Sequence, residues 1–398
     1  MEPKLHREYP HLLFRKHWEL SDSSWLLLGQ CDAYVHAINN TPILPHHYQE
    51  LMNVALMKGA QATTAIEGNT LSDEEIQKMM EGQKLPPSKE YQEIEVRNIL
   101  DALNELLNEV VEEKVDHFIS IELIKRFHKM VGKDLGEHFA AIPGSLRNNE
   151  VVVGTYRCPD QRDVPILLER FCNWIKEEFR FGQKVQSFGD ILIQAMVSHV
   201  YIEWIHPFSD GNGRTGRLLE FYILLRGGNP DIASHILSNY YNLTRPEYYR
   251  QIEKARENKD LTCFIDYALL GFRDGLEQTL RIIQISQFEN TWQKLIYDKF
   301  DVIRSSTRED VFKRQRTLAL EFPFDKGLSI SEISLLTVQL AKIYANMSGK
   351  TIQRDIEKLI ELELVKKDED KYIANTGILT SMFAKRRRIR GFSLAVQS

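Results

Sequence analysis

The sequence predicts a mostly α-helical protein with one small β-hairpin and, near its C-terminus, a domain that resembles a winged helix-turn-helix. Apolar residues recur at helical spacing along most of the chain. Only one short β-branched run, Val151–Val153, is bracketed by glycine, proline and asparagine, as hairpin strands are. From about Leu328 onward, two short helical patterns are followed by a hairpin-like stretch. These three observations define the expected fold class.

The N-terminal part predicts a series of helices. Apolar residues keep helical spacing in HHYQELMNVALMKGAQATTAI, which Pro45 and Gly68 bound. A new helix is expected at Ser72, because Ser72 and Glu75 have the spacing of a capping box. A long amphipathic helix follows, with an apolar stripe at Ile94, Ile99, Leu103, Leu106 and Val110. The stretch SIELIKRFHKMVG predicts a further helix that closes on Gly132.

The middle of the chain predicts a hairpin and then more helices. The stretch IPGSLRNNEVVVGTYRCPD interrupts the helical pattern and indicates a short hairpin or extended flap. Helical spacing resumes at Val164, continues through DILIQAMVSHVYIEWI, and returns in LLEFYILLRGG, where two glycines end it.

The C-terminal stretch has a pattern of its own. SISEISLLTVQLA and SGKTIQRDIEKLIELELV predict two helices, and KKDEDKYIAN predicts a wing-like hairpin. Residues 348–362 then occupy the place of a recognition helix. The final residues, 376–398, contain no acidic residue but carry Lys385, Arg386, Arg387, Arg388 and Arg390.

Composition places the chain among ordinary globular proteins. Its 398 residues suffice for two or three domains, and 43% are hydrophobic. The formal net charge of −5 makes the whole chain no obvious nucleic-acid or membrane binder, so such a role would need a local patch. Its four cysteines form no CxxC pair, and no segment has the length of a membrane span or the apolar core of a signal peptide. We expect a soluble cytoplasmic protein without membrane contact.

The stretch HPFSDGNGRTGR, residues 206–217, concentrates chemistry-bearing residues at one bend of the chain. Its glycines, Gly211, Gly213 and Gly216, match the GxGxxG pattern of dinucleotide-binding proteins. That pattern has meaning between a strand and a helix, whereas the preceding segment here has helical spacing. The dinucleotide-binding interpretation is therefore disfavoured.

Phosphate binding explains these residues better. Gly211 and Gly213 at a helix entry expose backbone N–H groups and form an anion cradle. Arg214 and Arg217 lie three positions apart, so we expect both on one helical face with access to phosphate oxygens.

The remaining polar residues of the stretch supply a base and a metal ligand. Asp210 suits a magnesium ion that bridges phosphates, and Asn212 suits an orienting role. His206, just upstream, suits a general base acting on a hydroxyl group. Together the residues predict a site for phosphoryl or nucleotidyl transfer. The spacing of His199, Glu203 and His206 also permits a metal site, which the stronger role of His206 disfavours.

The stretch resembles the signature of the Fic family, His-x-Phe-x-Asp/Glu-Gly-Asn-Gly-Arg-x-x-Arg, at every fixed position. The matching residues are His206, Phe208, Asp210, Gly211, Asn212, Gly213, Arg214 and Arg217. The resemblance extends over roughly residues 45 to 275 and implies a Fic-type all-helical core with a small β-hairpin flap. With the other patterns it predicts five parts: an N-terminal helical region (1–112), a Fic core (113–275), a helical linker (276–327), a winged-helix-like domain (328–375) and a basic tail (376–398).

The resemblance implies a protein adenylyltransferase that moves AMP from ATP to a Ser, Thr or Tyr hydroxyl of a target protein. His206 would be the base, Asp210 would hold Mg²⁺, and Phe208 would point into the core. The nucleotide-binding residues would be Gly211, Asn212, Gly213, Arg214, Thr215, Gly216, Arg217, Tyr248 and Tyr249. The two tyrosines would contact the adenine or, alternatively, would be buried without a ligand. Transfer of UMP or phosphate stays open.

A second motif resembles the inhibitory motif of the same family, Ser/Thr-x-x-x-Glu-Gly/Asn. It comprises Thr63, Glu67 and Gly68 in the stretch TTAIEGN. The resemblance implies that Glu67 pairs with Arg217, so that ATP binds only with its α-phosphate misplaced for attack. The same glutamate would serve as the base if the protein also removes AMP from its target.

Partners are predicted from two further segments. The flap around Val152, Val153 and Gly154 would pair with a target segment by β-augmentation. The winged-helix-like domain would contact DNA or another protein, and a homodimer and self-modification are compatible with the sequence. The alternative function is a DNA-binding transcriptional regulator in which the Fic core senses a nucleotide.

Overall fold

The computed structural model describes residues 4–114, 118–179, 186–324 and 326–382. These residues are mostly α-helical and include two small antiparallel hairpins, so the predicted fold class is confirmed. The chain divides into two compact units, Met1–Ile283 and Gln284–Ser398. Each unit has its own hydrophobic core.

The first five helices build one side of the first unit. They are α1 (Asp22–Asn39), α2 (Pro45–Ile66), α3 (Asp73–Met80), α4 (Glu90–Leu107), which continues into a π-helical turn (Asn108–Glu112), and α5 (Ile121–Val131). The predicted capping box at the start of α3 is present, because the Ser72 hydroxyl accepts from Glu75 N while the Glu75 carboxylate accepts from Ser72 N. Helix α2 packs against α4, and its C-terminal end reaches the site described below.

The predicted hairpin is short and antiparallel. Strands β1 (Val152–Val153) and β2 (Tyr156–Arg157) pair Val152 with Arg157 and Val153 with Tyr156. Gly154 opens the two-residue loop with a φ of 57°, in the left-handed region that such loops require.

The remaining helices of the first unit include two that are almost completely buried. In chain order, the remaining helices are α6 (Val164–Glu178), α7 (Phe188–Ile205), α8 (Asn212–Arg226), α9 (Ile236–Leu243), α10 (Arg245–Asn258) and α11 (Thr262–Ile303), the last of which continues into the second unit. Helices α7 and α8 pack on each other and are buried on nearly all sides. Burial is expected of α7, which is mostly apolar all round, whereas α8 also buries the charged residues Arg214, Arg217 and Glu220. The bend between them carries residues 206–211.

The second unit contains α12 (Glu309–Glu321), α13 (Ile330–Ile333), α14 (Val338–Tyr344), α15 (Gly349–Glu361), β3 (Val365–Asp368), β4 (Lys371–Ala374) and α16 (Gly377–Met382). Strands β3 and β4 are antiparallel neighbours, and Leu328 forms an isolated bridge to Tyr372. Four residues join α14 to α15, a length typical of a helix-turn-helix. The winged-helix assignment and the five-part division stay predictions, and the predicted basic cluster, residues 385–390, lies outside the described residues.

Among the helices that the structure describes, none combines the length and hydrophobicity needed to cross a membrane.

Candidate active site

The motif forms a tight bend between two buried helices. His206 ends α7 in the left-handed conformation with φ 49° and ψ 61°. Gly211 directly precedes α8 and has a φ of 77°, in the left-handed region. A side chain at Gly211 would also overlap the ring of Phe139. The bend thus brings the imidazole of His206 close to the N-terminus of α8.

Asn212 and Phe208 hold the bend in shape. The Asn212 side chain accepts from Phe208 N and donates to Phe208 O, both at 2.9 Å. The Phe208 ring is fully buried and stacks on the imidazole of His128 at 3.7 Å between centroids. Asn212 therefore orients the loop, and Phe208 points into the core.

His128 is a support that sequence reasoning did not identify. Gly144 N donates to His128 Nδ1 at 2.9 Å, so Nδ1 carries no proton and Nε2 is the donor. Nε2 then donates to Asp210 O at 3.0 Å and fixes the backbone of the bend. Burial lowers the pKa of His128 to about 4, which keeps this tautomer neutral.

His206 has the electronic state that a general base needs. Its Nδ1 lies 3.3 Å from the carbonyl oxygen of Glu203, and because a carbonyl only accepts, Nδ1 is the protonated nitrogen of this contact. Nε2 therefore carries the free lone pair. Burial lowers the pKa of His206 to about 4, so the imidazole is neutral at pH 7.

Arg147 clamps the flap to this histidine. Its side chain is 5% exposed and donates only to backbone carbonyls, through Nε to His206 O at 2.7 Å, Nη1 to Asn149 O at 2.8 Å and Nη2 to Pro159 O at 2.5 Å. Its own N–H donates to Pro207 O at 3.0 Å. One buried guanidinium thus links both arms of the flap to the bend, a function that its place in the sequence did not reveal.

Arg214 is buried and is engaged by two carboxylates. It is 4% exposed and pairs with Glu95 and, at 3.0 Å, with Asp210. Asp210 also accepts from Gly211 N at 2.5 Å and Ala140 N at 3.2 Å. The two arginines therefore differ. Arg214 forms ion pairs with Glu95 and Asp210 next to the bend, whereas Arg217 hydrogen-bonds to Thr63 and Glu67.

Arg217 donates hydrogen bonds to the C-terminal end of α2. Its Nη2 donates to Glu67 Oε1 at 2.5 Å and to Thr63 O at 3.0 Å. The Thr63 carbonyl accepts this bond because Glu67 N turns to Thr64 O instead. Gly68 follows with φ 104°, a conformation that ends the helix. The predicted pair of Glu67 with Arg217 is present.

Charge keeps this pair ionised. Burial would raise the pKa of the Glu67 carboxyl, but the charges of Arg217, Arg214 and Arg245 hold it below its usual value. Burial would likewise lower the pKa of Arg217, yet the Glu67 charge raises it. Arg217 is 1% exposed, so the carboxylate neutralises a cation that lies inside the fold.

The Glu67 carboxylate lies against Gly213 in the first turn of α8. A Cβ at Gly213 would overlap Glu67 Oε1 and lie 3.0 Å from both Arg217 Nη1 and Glu203 Oε1. The carboxylate thus sits where the first turn of α8 offers its N–H groups to an anion. By contrast, Thr215 bonds back to Gly211 O, and Gly216 packs against α7 at His199.

The two predicted tyrosines occupy different environments. Tyr248 is fully buried, stacks on Tyr241 at 4.7 Å, and has its hydroxyl 2.8 Å from His199 Nε2. Tyr249 is 44% exposed and donates to Ile66 O at the end of α2. Of the two, Tyr249 is the more accessible to a ligand, whereas Tyr248 is enclosed by the fold.

The described residues contain no group of three or more metal-ligating side chains. His199, from the alternative metal site, is fully buried with Nε2 engaged by Tyr248 and Nδ1 3.9 Å from Glu220. Asp210, 31% exposed, is a single carboxylate beside the cradle. Such a donor fits Mg²⁺, which is usually held by one or two carboxylates together with substrate phosphates.

The flap presents an open edge next to the site. Val152 and Val153 are 60% and 45% exposed, and their strand pairs with β2 only.

The comparisons with known proteins agree with this geometry. A sequence profile described as the Fic/DOC family matches residues 118–224. The chain is 32% identical over 205 residues to protein adenylyltransferase fic-1 of Caenorhabditis briggsae, which covers 52% of this chain and 37% of that protein. It is 31% identical over 218 residues to protein adenylyltransferase Fic of Culex quinquefasciatus, covering 55% and 39%. The chain thus spans about two fifths of the length of these curated relatives.

Solved structures show the same fold. A Fic family protein from Desulfovibrio desulfuricans G20 aligns with a TM-score of 0.55 at 18% identity, covering 90% of this chain and 98% of that one. Fic-1 (aa134–508) from C. elegans aligns with a TM-score of 0.54 at 23% identity, covering 66% and 74%. The profile match and the complete motif lead to one conclusion: residues 118–224 of the chain form a Fic domain.

Proposed function

We propose that the chain is a protein adenylyltransferase that transfers AMP from ATP to a Ser, Thr or Tyr hydroxyl of a target protein. The observation that carries this proposal is the neutral imidazole of His206 beside the anion cradle of α8. Its Nε2 lone pair is free because Nδ1 contacts Glu203 O. The curated relatives, which are named protein adenylyltransferases, give independent support.

In the proposed reaction, His206 Nε2 accepts the proton of the target hydroxyl as its oxygen attacks the α-phosphorus of ATP. The bond from the α-phosphorus to the bridging oxygen breaks, and pyrophosphate leaves with the electron pair. No covalent enzyme intermediate is required, since positioning and electrostatic stabilisation suffice.

The first turn of α8 would bind the phosphates. Its N–H groups near Gly213 and the guanidinium of Arg217 would hold the β- and γ-phosphates once Glu67 has left. Asp210 would hold Mg²⁺ together with phosphate oxygens, and the ion would neutralise charge on the leaving pyrophosphate. Tyr249 would lie against the adenine.

Glu67 would act as an intramolecular brake. Its carboxylate fills the cradle and pairs with Arg217, so the γ-phosphate of ATP meets an occupied site. In the reverse reaction, the same carboxylate would direct a water molecule at the AMP ester of a modified target. Release of the inhibition and activation of the water molecule would both require Glu67 to move relative to α8.

A target segment would bind along the flap. The exposed Val152 and Val153, with Gly154 at the turn, would add an extended strand from the target and place its hydroxyl near His206. We also propose a cytoplasmic location, since Cys31, Cys158, Cys172 and Cys263 are all free thiols.

Transfer of label from [α-³²P]ATP with Mg²⁺ tests the proposal. The samples are the unaltered chain, Glu67→Gly, His206→Ala and the double variant, each alone and with cell lysate as target. We expect strong labelling of protein only in the Glu67→Gly sample. Adenylyl transfer is wrong if no sample incorporates label, and competition by UTP or labelling from [γ-³²P]ATP would identify a different transferred group.

A DNA-binding role for residues 328–375 is the second candidate. Two acidic side chains of α15 are engaged by cations: Asp355 is buried against Arg314, and Glu361 pairs with Lys358, while Glu357 is exposed. The N-terminal half of α15 instead exposes Lys350 and Arg354.

The tip of the β3–β4 hairpin opposes this role, because Asp368, Glu369 and Asp370 are exposed there. Lys366, Lys367 and Lys371 are also exposed on the strands, so the hairpin carries mixed charge and α15 is the more basic surface. Protein docking or dimerisation through this unit is the competing use. Fluorescence anisotropy with duplex DNA at two salt concentrations would distinguish DNA binding from protein docking. Salt-sensitive binding that Arg354→Ala weakens would favour DNA.

A further inference from the structure

Arg217 is a buried cation that does not use all of its donors. It is 1% exposed, and its two bonds to the inhibitory motif both come from Nη2. Among the described residues, Nε and Nη1 have no hydrogen-bond partner. A buried, partly unsatisfied guanidinium favours any further acceptor that can reach it.

Glu203 is the acceptor that faces the same space. Its Oε1 and Arg217 Nη1 each lie 3.0 Å from the position that a Cβ would take at Gly213. The same oxygen accepts a long bond, 3.4 Å, from the Tyr248 hydroxyl. Glu203 Oε1 and Arg217 Nη1 are therefore no more than twice 3.0 Å apart, and the charge of Glu203 already acts on Arg217. Rotation of the Glu203 side chain toward the unused donor would form the ion pair.

The charge on Glu203 depends on Glu67. Burial, the largest cause, and the negative charge of Glu67 together raise the pKa of Glu203 to about 7 against the opposing charge of Arg217. The titratable groups that face it come from four elements: Glu67 from α2, Arg217 from α8, Tyr248 from α10 and Cys158 from the flap. If Glu67 withdraws, one repulsion disappears and the attraction of Arg217 stays. The pKa of Glu203 then falls, and the carboxyl releases its proton to solvent.

We propose that Glu203 is a positioning residue that becomes the counter-ion of Arg217 when Glu67 leaves the cradle. Glu203 keeps the guanidinium in place in the released state, where a buried cation without a partner would be strongly destabilising. It also competes with the terminal phosphate of ATP for that guanidinium. This inference rests on the proposed role of Arg217 as the group that binds the γ-phosphate.

Nucleotide binding tests the inference without any transfer reaction. Isothermal titration calorimetry with Mg²⁺ at pH 6, 7 and 8 would measure the Kd of ATP and of ADP for the Glu67→Gly chain and for Glu67→Gly/Glu203→Gln. Glutamine keeps the size of the side chain and its bond from Tyr248 but cannot carry charge. At pH 8 we expect the double variant to bind ATP about tenfold more tightly, the effect of removing one charged competitor, with ADP unchanged.

The pH series and a control make the result specific. The gain in ATP affinity should become smaller as the pH falls, because protonation of Glu203 removes the competing charge. In the chain with Glu67 intact, Glu203→Gln should change the ATP Kd by less than about twofold, because Glu67 already holds Arg217. Glu257→Gln, an exposed glutamate on α10, is the matched control and should change neither nucleotide.

Equal changes for ATP and ADP, or no change in the double variant, would overturn the inference. Should the glutamine variant not fold, Glu203→Asp in the Glu67→Gly chain retracts the charge, and unchanged ATP binding would then be decisive against it. Failure of AMP transfer would count against the proposed function only, since the ATP-over-ADP effect is measured as binding.

Discussion

Arg147 offers a sharp test of how the flap controls His206. We predict that Arg147→Lys lowers AMP transfer by the Glu67→Gly chain without removing the fold. Lysine retains the positive charge, but its single nitrogen cannot span the three carbonyls that Arg147 reaches on His206, Asn149 and Pro159. At least two of these acceptors, which are buried or partly buried, lose their donor.

The expected magnitude follows from those two lost bonds. Each buried acceptor left without a charged donor costs about 1–3 kcal/mol, so the clamped arrangement loses at least about 2 kcal/mol. That free energy reduces the population of the correctly placed His206 about 30-fold. Because the clamp acts on the base and not on the nucleotide, kcat should fall by a similar factor while the KM for ATP changes little.

The assay compares kcat and KM for label transfer with thermal unfolding of the same samples. Arg157→Lys is the control, since Arg157 lies on the same hairpin but is exposed and pairs only with Glu150. The reasoning is refuted if Arg147→Lys retains kcat within twofold of the Glu67→Gly chain. It is refuted equally if kcat and the KM for ATP change together.

Three further predictions concern the cradle and its buried carboxyls. Gly213→Ala should lower the melting temperature of the unaltered chain, because the added Cβ overlaps Glu67 Oε1. The same substitution should lower the melting temperature of the Glu67→Gly chain much less. Equal losses in calorimetry would contradict this reasoning. Burial raises the pKa of Glu220 to about 8. The folded state therefore keeps a proton that the unfolded state loses between about pH 4.5 and 8, and stability should fall as the pH rises through this window, by at most about 1.4 kcal/mol per pH unit. Denaturant melts at several pH values should show a smaller slope for Glu220→Gln. For His206, whose pKa of about 4 leaves it neutral above pH 5, the kcat/KM of the Glu67→Gly chain should show no acid limb from this group between pH 5.5 and 7, and a histidine-type limb near pH 6.5 would argue against the buried neutral base.

The sequence by itself determined the local chemistry. The capping box at Ser72, the hairpin around Gly154 and the glycine-rich entry to α8 each depend on residues a few positions apart, so their patterns predict them directly. The Fic motif is likewise contiguous, so it predicts directly that His206 and Arg217 lie at one bend of the chain. The pair of Glu67 with Arg217, 150 residues apart, was expected only through the resemblance to the family.

The tertiary structure decided which groups are free to react. Arg214 and Arg217 share a helical face in sequence, yet Glu95, from a distant helix, pairs with the first and leaves only the second for the cradle. Tyr248 and Tyr249 are neighbours, and burial alone separates their roles. The neutral state of His206 and the proximity of Glu203 to Arg217 arise from desolvation and long-range packing. Such effects depend on which elements surround a side chain, and helical spacing does not encode them.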